Sequence, residues 1–309
     1  MSTAPCGLLP VCKPPGPTSA QVVAAVRRLF GRDVRVGHAG TLDPAAAGVL
    51  PICVGAATRL AEYLHLPAKE YRFELVLGLE TDTQDATGRI LAEHDACGLD
   101  GAQVAAALAA LVGTITQRPP LHSARHHQGR RLYEYAREGQ AVEPASATVR
   151  IDALRLLSFA PGHPARALCA LVCGSGTYVR AVCADVGAAL GTGGHMGVLV
   201  RHRAGGLCGS ECRTLEELEA EAQHGGLHGL LRTPAEALGF LPALALPWPE
   251  AEAVLHGRPP GRRRATPGEP DGALRLLHAD GRLIAVATRR VQDGVTGFVL
   301  ERVMPADAS

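Results

Sequence analysis

One aspartate stands in a setting that suits chemistry. The stretch Gly37-His38-Ala39-Gly40-Thr41-Leu42-Asp43-Pro44-Ala45-Ala46-Ala47-Gly48-Val49-Leu50 places Asp43 in a tight, apolar, glycine-rich loop. A carboxylate there is poorly solvated and costly unless something pairs with it. The competing reading is that Asp43, standing before Pro44, simply starts a turn. A second acidic run, Thr81-Asp82-Thr83-Gln84-Asp85, would suit an Asp-dependent hydrolase. No second ligand cluster accompanies it, and a capped turn accounts for it more simply.

The other reactive residue types say less. The nine cysteines are scattered, and none forms a Cys-x-x-Cys pair. Cys169–Cys173 and Cys208–Cys212 match metal-ligand spacing only loosely. Buried free thiols in a reducing cell are the expected state. The net charge of +1 announces no polyanion partner. Arginines nonetheless cluster at Arg27, Arg28, Arg32 and Arg35, at Arg130 and Arg131, at Arg201 and Arg203, and at 262–264. A locally basic face on a neutral protein can still track phosphates, although ordinary solvated faces look the same. Only two of the 31 basic residues are lysines, Lys13 and Lys69. In so arginine-rich a chain, a retained lysine points to a task that a planar guanidinium cannot do.

The elements that must position these residues can be read from pattern. The 309 residues, 47% of them hydrophobic, suffice for a catalytic domain and a small second one. No apolar run spans a bilayer and the N-terminus does not read as a signal peptide, so the cytosol is the expected compartment. A strand is expected over 7–12. A helix follows, capped by Thr18 or Ser19 and lined by Val22, Val23, Val26, Leu29 and Phe30. Residues 37–48 read as a loop and 58–64 as a helix. Over 69–79, Tyr71, Phe73, Leu75 and Leu77 share one face of a half-buried strand. Helices are expected at 101–111, 177–190 and 214–223, and strands at 148–157 and 165–173. Residues 114–147 look like an excursion from the core. Residues 241–249, with three prolines, read as a linker. Beyond a loop over 257–272, strands near 273–278, 282–289 and 297–303, with a hairpin turn at Asp280-Gly281, suggest a small β domain. The class is α+β.

Taken together, the motifs resemble the TruB-type pseudouridine synthases. The Asp43 stretch is similar to that family's Gly-His-Thr-Gly-Thr-Leu-Asp-Pro signature and the Gly-Val-Leu segment after it. Lys13-Pro14-Pro15-Gly16-Pro17-Thr18-Ser19 resembles its Lys-Pro motif, Lys69-Glu70-Tyr71 its Lys-x-Tyr, and the Gly78 to Gly88 segment its Thr-Asp-Thr run. Pro119 to Ala124 and Gly129 to Gly139 resemble its tRNA-facing insertion. Cys173 to Arg180 resembles Cys-x-x-Gly-Thr-Tyr-Ile-Arg, and His195 to Gly205 the helix and turn that follow. The resemblance covers about residues 7–205, and the tail is a weaker match to a PUA-type domain. Departures fall at Cys12, Ala39, His126, Ser175 and Val200, and bear on phosphate contacts more than on chemistry.

The resemblance implies a pseudouridine-synthase-type mixed sheet with flanking helices, catalytic over 1–240, with an RNA-facing insertion at about 114–147. A PUA-like RNA-binding domain would occupy 250–309. It implies isomerisation of uridine 55 in the T-loop of tRNA. Asp43 would be the catalytic carboxylate, nucleophile or base toward the sugar. Arg180 would pair with Asp43 and keep it ionised. Tyr71 would stack on the flipped base and relay the proton that leaves C5. His38 would pack into the unstacked loop, and Tyr178 and Leu199 would line the base pocket. Lys13 and Lys69 would join in binding substrate. The reaction calls for no redox cofactor and no metal. The expected partner is the T-arm of tRNA, with no membrane, no protein partner and a monomeric chain. Two alternatives stay open: a non-catalytic RNA-binding or tRNA-folding protein, and a guide-dependent rRNA pseudouridine synthase. The insertion and the absence of lysine-rich tails weigh against the latter.

Overall fold

The computed structural model describes residues 4–306, apart from Leu121, His122, Ala124, Gln128, Gly139, Ala141 and 267–270. In chain order, β1 (Gly7–Lys13), α1 (Ser19–Phe30), β2 (Val36–His38), β3 (Ala47–Val54) and β4 (Lys69–Leu77) come first. The hairpin of β5 (Leu79–Thr81) and β6 (Ile90–Glu93), then α2 (Gly101–Ala109) and β7 (Gly113–Gln117), follow. Next are β8 (His126–His127), β9 (Arg130–Arg131), α3 (Leu132–Arg137), β10 (Ala147–Ala160), β11 (Ala165–Cys173), α4 (Val179–Leu190) and β12 (Gly194–Ala204). Then come β13 (Leu207–Cys208), α5 (Leu215–Gln223), α6 (Pro234–Ala237), β14 (Ala243–Ala245), α7 (Trp248–Leu255) and β15 (Arg263–Arg264). The chain closes with β16 (Gly272–Leu277), β17 (Leu283–Gln292) and β18 (Val295–Val303). No described helix is long and apolar enough to cross a membrane.

The chain forms two compact units, one of Met1–Asp43, Val49–Pro67 and Ala204–Ser309, the other of Pro44–Gly48 and Ala68–Arg203. In the first, α1 begins with Thr18, whose hydroxyl accepts from the Gln21 amide while the Gln21 side chain accepts from the Thr18 amide. This reciprocal cap satisfies two helix-end donors. Val22 and Val26 of α1 pack with Leu9 and Val11 of β1, Leu50 and Ile52 of β3, and Leu218 of α5. Residues 55–60 and 63–65 are tight 3₁₀ turns rather than the expected single helix. Thr58 donates back to the Gly55 carbonyl at 2.9 Å, which favours the tighter winding. Five strands, in the order β14-β16-β17-β18-β15, make the C-terminal sheet. The residues expected to be a linker form β14 and the start of α7 instead. Pro247 and Pro249 open α7, where a missing amide costs nothing. The Asp280-Gly281 turn is present, with the Gly281 amide bonded to the His278 carbonyl at 2.9 Å.

In the second unit, antiparallel strands run β12-β4-β11-β10-β7. Residues 113–117, of which 114–117 are expected to lie in the excursion, are the edge strand of this sheet, in register with 147–151 of β10. The rest of the insertion carries the β8–β9 hairpin and α3. The residues from His195 to Ala204, expected as a helix, lie in β12 instead, while the expected turn follows at Gly205. Gly197 shows why: a Cβ there would lie 2.2 Å from the Glu74 carboxylate on β4, a close approach that suits paired strands. Ala47 and Gly48 pair in parallel with Val200 and Arg201 of β12. Gly48 has φ +106°, and a Cβ would sit 2.2 Å from the Arg201 carbonyl oxygen. Gly48→Ala is therefore expected to lower stability by about 3 kcal/mol or to prevent folding. A thermal melt checks this, and an unchanged Tm would contradict the geometry.

Candidate active site

The aspartate loop is anchored from the first turn of α1. Ser19 is 2% exposed. Its hydroxyl donates to the Leu42 carbonyl at 2.9 Å and accepts from the Leu42 amide at 2.9 Å. Both backbone polar groups of the residue before Asp43 are thus held by one side chain. Farther back in the loop, the Ala39 amide bonds to the Pro51 carbonyl at 2.9 Å. Leu42 and Ala46 are buried and Asp43 is half-buried. Reading the sequence left Thr18 and Ser19 as rival caps. The structure divides the labour, with Thr18 capping and Ser19 holding the loop. Ser19→Ala would leave the buried Leu42 groups unpaired, so stability is expected to fall by about 2 kcal/mol. An unchanged melting temperature would contradict this role of Ser19.

His38 ends β2, opposite Ile52 of β3. Lys13 is fully buried, and its ammonium donates to the Pro14 carbonyl at 2.9 Å. These residues and Asp43 belong to the first unit, while Tyr71, Lys69, Tyr178, Arg180 and Leu199 belong to the second. Asp43 is joined by one peptide bond to Pro44, the first residue of the short segment assigned to the second unit.

Within the second unit the registers bring several of these residues together. Gly48 pairs with Arg201, and Arg201 with Tyr71. Tyr71 therefore lies two strands from the segment that follows Asp43. Tyr71 and Phe73 share the buried face of β4, as the alternation predicts, and Lys69 joins them there. Leu199, also buried, is opposite Phe73. The Lys69 ammonium donates to the Ser175 hydroxyl at 3.0 Å. Burial, with Arg201 nearby, holds the Lys69 pKa below its usual value. Both lysines of the chain are thus buried.

Arg201 is only 2% exposed, so the 201–203 cluster is not one solvated face. Arg203 is exposed and pairs with Glu70 at 2.9 Å. Arg27, Arg28, Arg32 and Arg35 are exposed as expected.

Arg180 opens α4 and is 4% exposed. Its guanidinium lies 3.7 Å from the Asp85 carboxylate and donates to the Thr83 carbonyl at 3.3 Å. Asp85 also accepts from the Thr83 hydroxyl at 2.8 Å and from the Thr87 hydroxyl and amide at 2.6 and 2.9 Å. The acidic run is thus a capped turn that also supplies a buried partner for Arg180, a role the sequence reading missed. Tyr178, the residue before α4, is clamped through its backbone. The Gln117 side chain accepts from its amide at 2.8 Å and donates to its carbonyl at 3.2 Å. Gln117 is 2% exposed on β7, and nothing in its local sequence marked it out.

Four cysteines are chemically quiet. Burial pushes the thiols of Cys53 and Cys169 up to about 12, and that of Cys173 to about 11. Burial likewise pushes the Cys183 thiol well above its ordinary value. Those of the insertion motif that fall at Leu121, His122, Ala124 and Gly139 lie outside the described residues.

Residues 27–179 match the sequence model for the N-terminal domain of the TruB family of pseudouridylate synthases. Residues 180–237 match that of a tRNA pseudouridylate synthase B C-terminal domain. The chain is 47% identical over 257 residues to the tRNA pseudouridine synthase B of Symbiobacterium thermophilum, covering 83% of this chain and 84% of that one. It is 44% identical over 298 residues to that of Moorella thermoacetica, covering 95% and 96%. Among solved structures, a chain of a Cbf5-Nop10-Gar1 complex superposes with a TM-score of 0.76 over 99% of this chain and 87% of that one. At 24% identity this is a likeness of fold.

Proposed function

Because the chain belongs to the TruB family of pseudouridylate synthases, we propose that it acts on uridine 55 of the T-loop of tRNA, with Asp43 as its catalytic carboxylate. The enzyme is an isomerase that turns uridine into pseudouridine in tRNA. The observation that carries the finer reading is the loop of Asp43, fixed at Leu42 by Ser19.

The chemistry required is economical in reagents. The N1–C1′ bond breaks, the freed uracil turns, C5 bonds to C1′, and the C5 proton leaves. Asp43 acts at the sugar, as nucleophile or as base. The target base must first leave its stack, at a cost of a few kcal/mol. Stacking on Tyr71 would return roughly 1–3 kcal/mol, and its hydroxyl relays the C5 proton. Arg180 keeps the aspartate ionised, with Asp85 and the Thr83 carbonyl fixing the guanidinium. His38 enters the opened loop, Tyr178 and Leu199 wall the base, and Lys13 and Lys69 complete the substrate contacts. The enzyme works as a cytoplasmic monomer on the T-arm.

Residues 1–240 carry the catalysis and 250–309 add RNA contact. Deleting the latter is a poor test, because Leu283, Val286 and Met304 share a core with Leu8 and Val49. Reversing the exposed charges of Arg262 and Arg264 is cleaner. It is expected to weaken tRNA binding and to lower the salt slope by up to about two counterions. An identical slope would exclude those contacts.

The reading as a whole is tested by tritium release from tRNA carrying 5-tritiated uridine, and from an isolated T-arm stem-loop. Release from both is expected. Release from neither, despite binding, would leave an RNA-binding protein.

A further inference from the structure

A second group of reactive side chains lies entirely within the second unit, on residues given no part in the reaction. After β6 the chain runs through His94, Asp95, Ala96 and Cys97. The turn between β10 and β11 carries His163. A carboxylate oxygen of Asp95, the Cys97 sulfur and an imidazole nitrogen of His163 lie within 4.8 Å of one another. All three residues are exposed, and with Glu93 and His94 they line a cavity of about 300 Å³. Among the nine cysteines, Cys97 is the one classed as exposed.

The two segments are held together by backbone. The His94 amide donates to the Gly78 carbonyl at 2.9 Å, and Ala96 is fully buried. Gly78 has φ +103°. A Cβ added there would lie 3.2 Å from the His94 carbonyl oxygen, 3.3 Å from the Ala96 Cβ and 3.7 Å from His163 Nδ1. A glycine therefore lets the two ligand-bearing segments close over the same spot.

A local turn accounts for part of this. Asp95 Oδ1 accepts from the Cys97 amide at 2.8 Å, an ordinary turn of an aspartate with the residue two further on. That bond occupies one carboxylate oxygen. It does not involve His163, which arrives from a turn more than sixty residues later in the chain; the same carboxylate also accepts from the Cys97 thiol, which holds that thiol above its ordinary pKa.

We propose that Asp95, Cys97 and His163 bind a divalent zinc-type cation. One sulfur, one nitrogen and one oxygen donor suit Zn²⁺, with bonds of about 2.3, 2.0 and 2.1 Å. Magnesium and calcium prefer all-oxygen shells. Tetrahedral bonds of these lengths set neighbouring donors roughly 3.3–3.8 Å apart. Side-chain rotations of exposed residues reach that from the observed spacing. Binding displaces the Cys97 thiol proton, so affinity falls in acid. Three protein ligands leave a fourth position for water. The bound cation is structural: it clips the segment after β6 to the β10–β11 turn.

The test uses the full-length chain, free of any histidine tag, titrated with Co²⁺. Thiolate ligation gives a near-ultraviolet charge-transfer band, and Zn²⁺ should displace it. Cys97→Ser is expected to abolish the band and His163→Gln to weaken binding by at least about tenfold. Cys208→Ser should titrate like wild type. Tm should rise with Zn²⁺ in wild type and not in Cys97→Ser, while both site variants isomerise uridine at the wild-type rate. No band in wild type, a band that survives Cys97→Ser, or wild-type affinity in His163→Gln would each overturn the site.

Discussion

Asp43→Asn is expected to abolish pseudouridine formation, by roughly 10⁴-fold or more in the single-turnover rate, and to leave tRNA affinity within a few-fold of wild type. The substitution keeps the size of the side chain and removes its charge. Its backbone neighbour Leu42 stays bonded to Ser19 on both sides, so the loop should keep its course and the folded fraction its value. Whether the carboxylate attacks the sugar or abstracts a proton from it, an amide does neither. Tritium release and a filter-binding isotherm on the same preparations check this. Retained release would remove Asp43 from the chemistry, whereas parallel loss of binding and release would assign it to recognition.

Arg180→Met is the second large effect. Arg180 and Asp85 are both buried, at 4% and 8% exposure, with 3.7 Å between guanidinium and carboxylate. Removing the cation leaves the Asp85 charge buried with only hydroxyl and amide donors from Thr83 and Thr87. Breaking such a pair from one side costs roughly 3–5 kcal/mol. The melting temperature should fall steeply and turnover should be lost. The double variant Arg180→Met with Asp85→Leu separates the two effects. Removing both charges should recover much of the stability, because the orphaned carboxylate is gone. Turnover should stay lost, since the proposed partner of Asp43 has not returned. If the double variant recovered activity, Arg180 would be a structural residue only. If the single variant melted like wild type, the buried pair would contribute little.

What could be read from the chain depended on how local the signal was. Asp43 stood out because charge in a glycine-rich apolar loop is a local anomaly. Tyr71 and Phe73 fall on the buried face of a strand because alternation is local too. Arg180 was read as an arginine near a helix start, and its family role came from resemblance alone. Its burial and its bond to Asp85 depend on where the 81–87 turn lands, which no window around either residue contains. Ser19 and Gln117 were missed for the same reason. Each satisfies backbone groups far along the chain, 23 residues away for Ser19 and 61 for Gln117. Residues 195–204 form a strand rather than the expected helix because Met196, Val198, Leu199 and Val200 suit either element. Pairing with β4 decided it, and Gly197 facing Glu74 was the available clue. The 241–249 segment reads as a linker because prolines break elements, yet prolines also begin helices, as Pro247 and Pro249 do for α7.

The central claim concerns one uridine, so the most direct measurement resolves position. A T-arm stem-loop incubated with the wild-type enzyme would be treated with carbodiimide and read by primer extension, beside a transcript with cytidine at position 55. The account predicts a stop at position 55 in the first transcript and none at any position in the second. A stop at another uridine, or the same pattern in both transcripts, would contradict it.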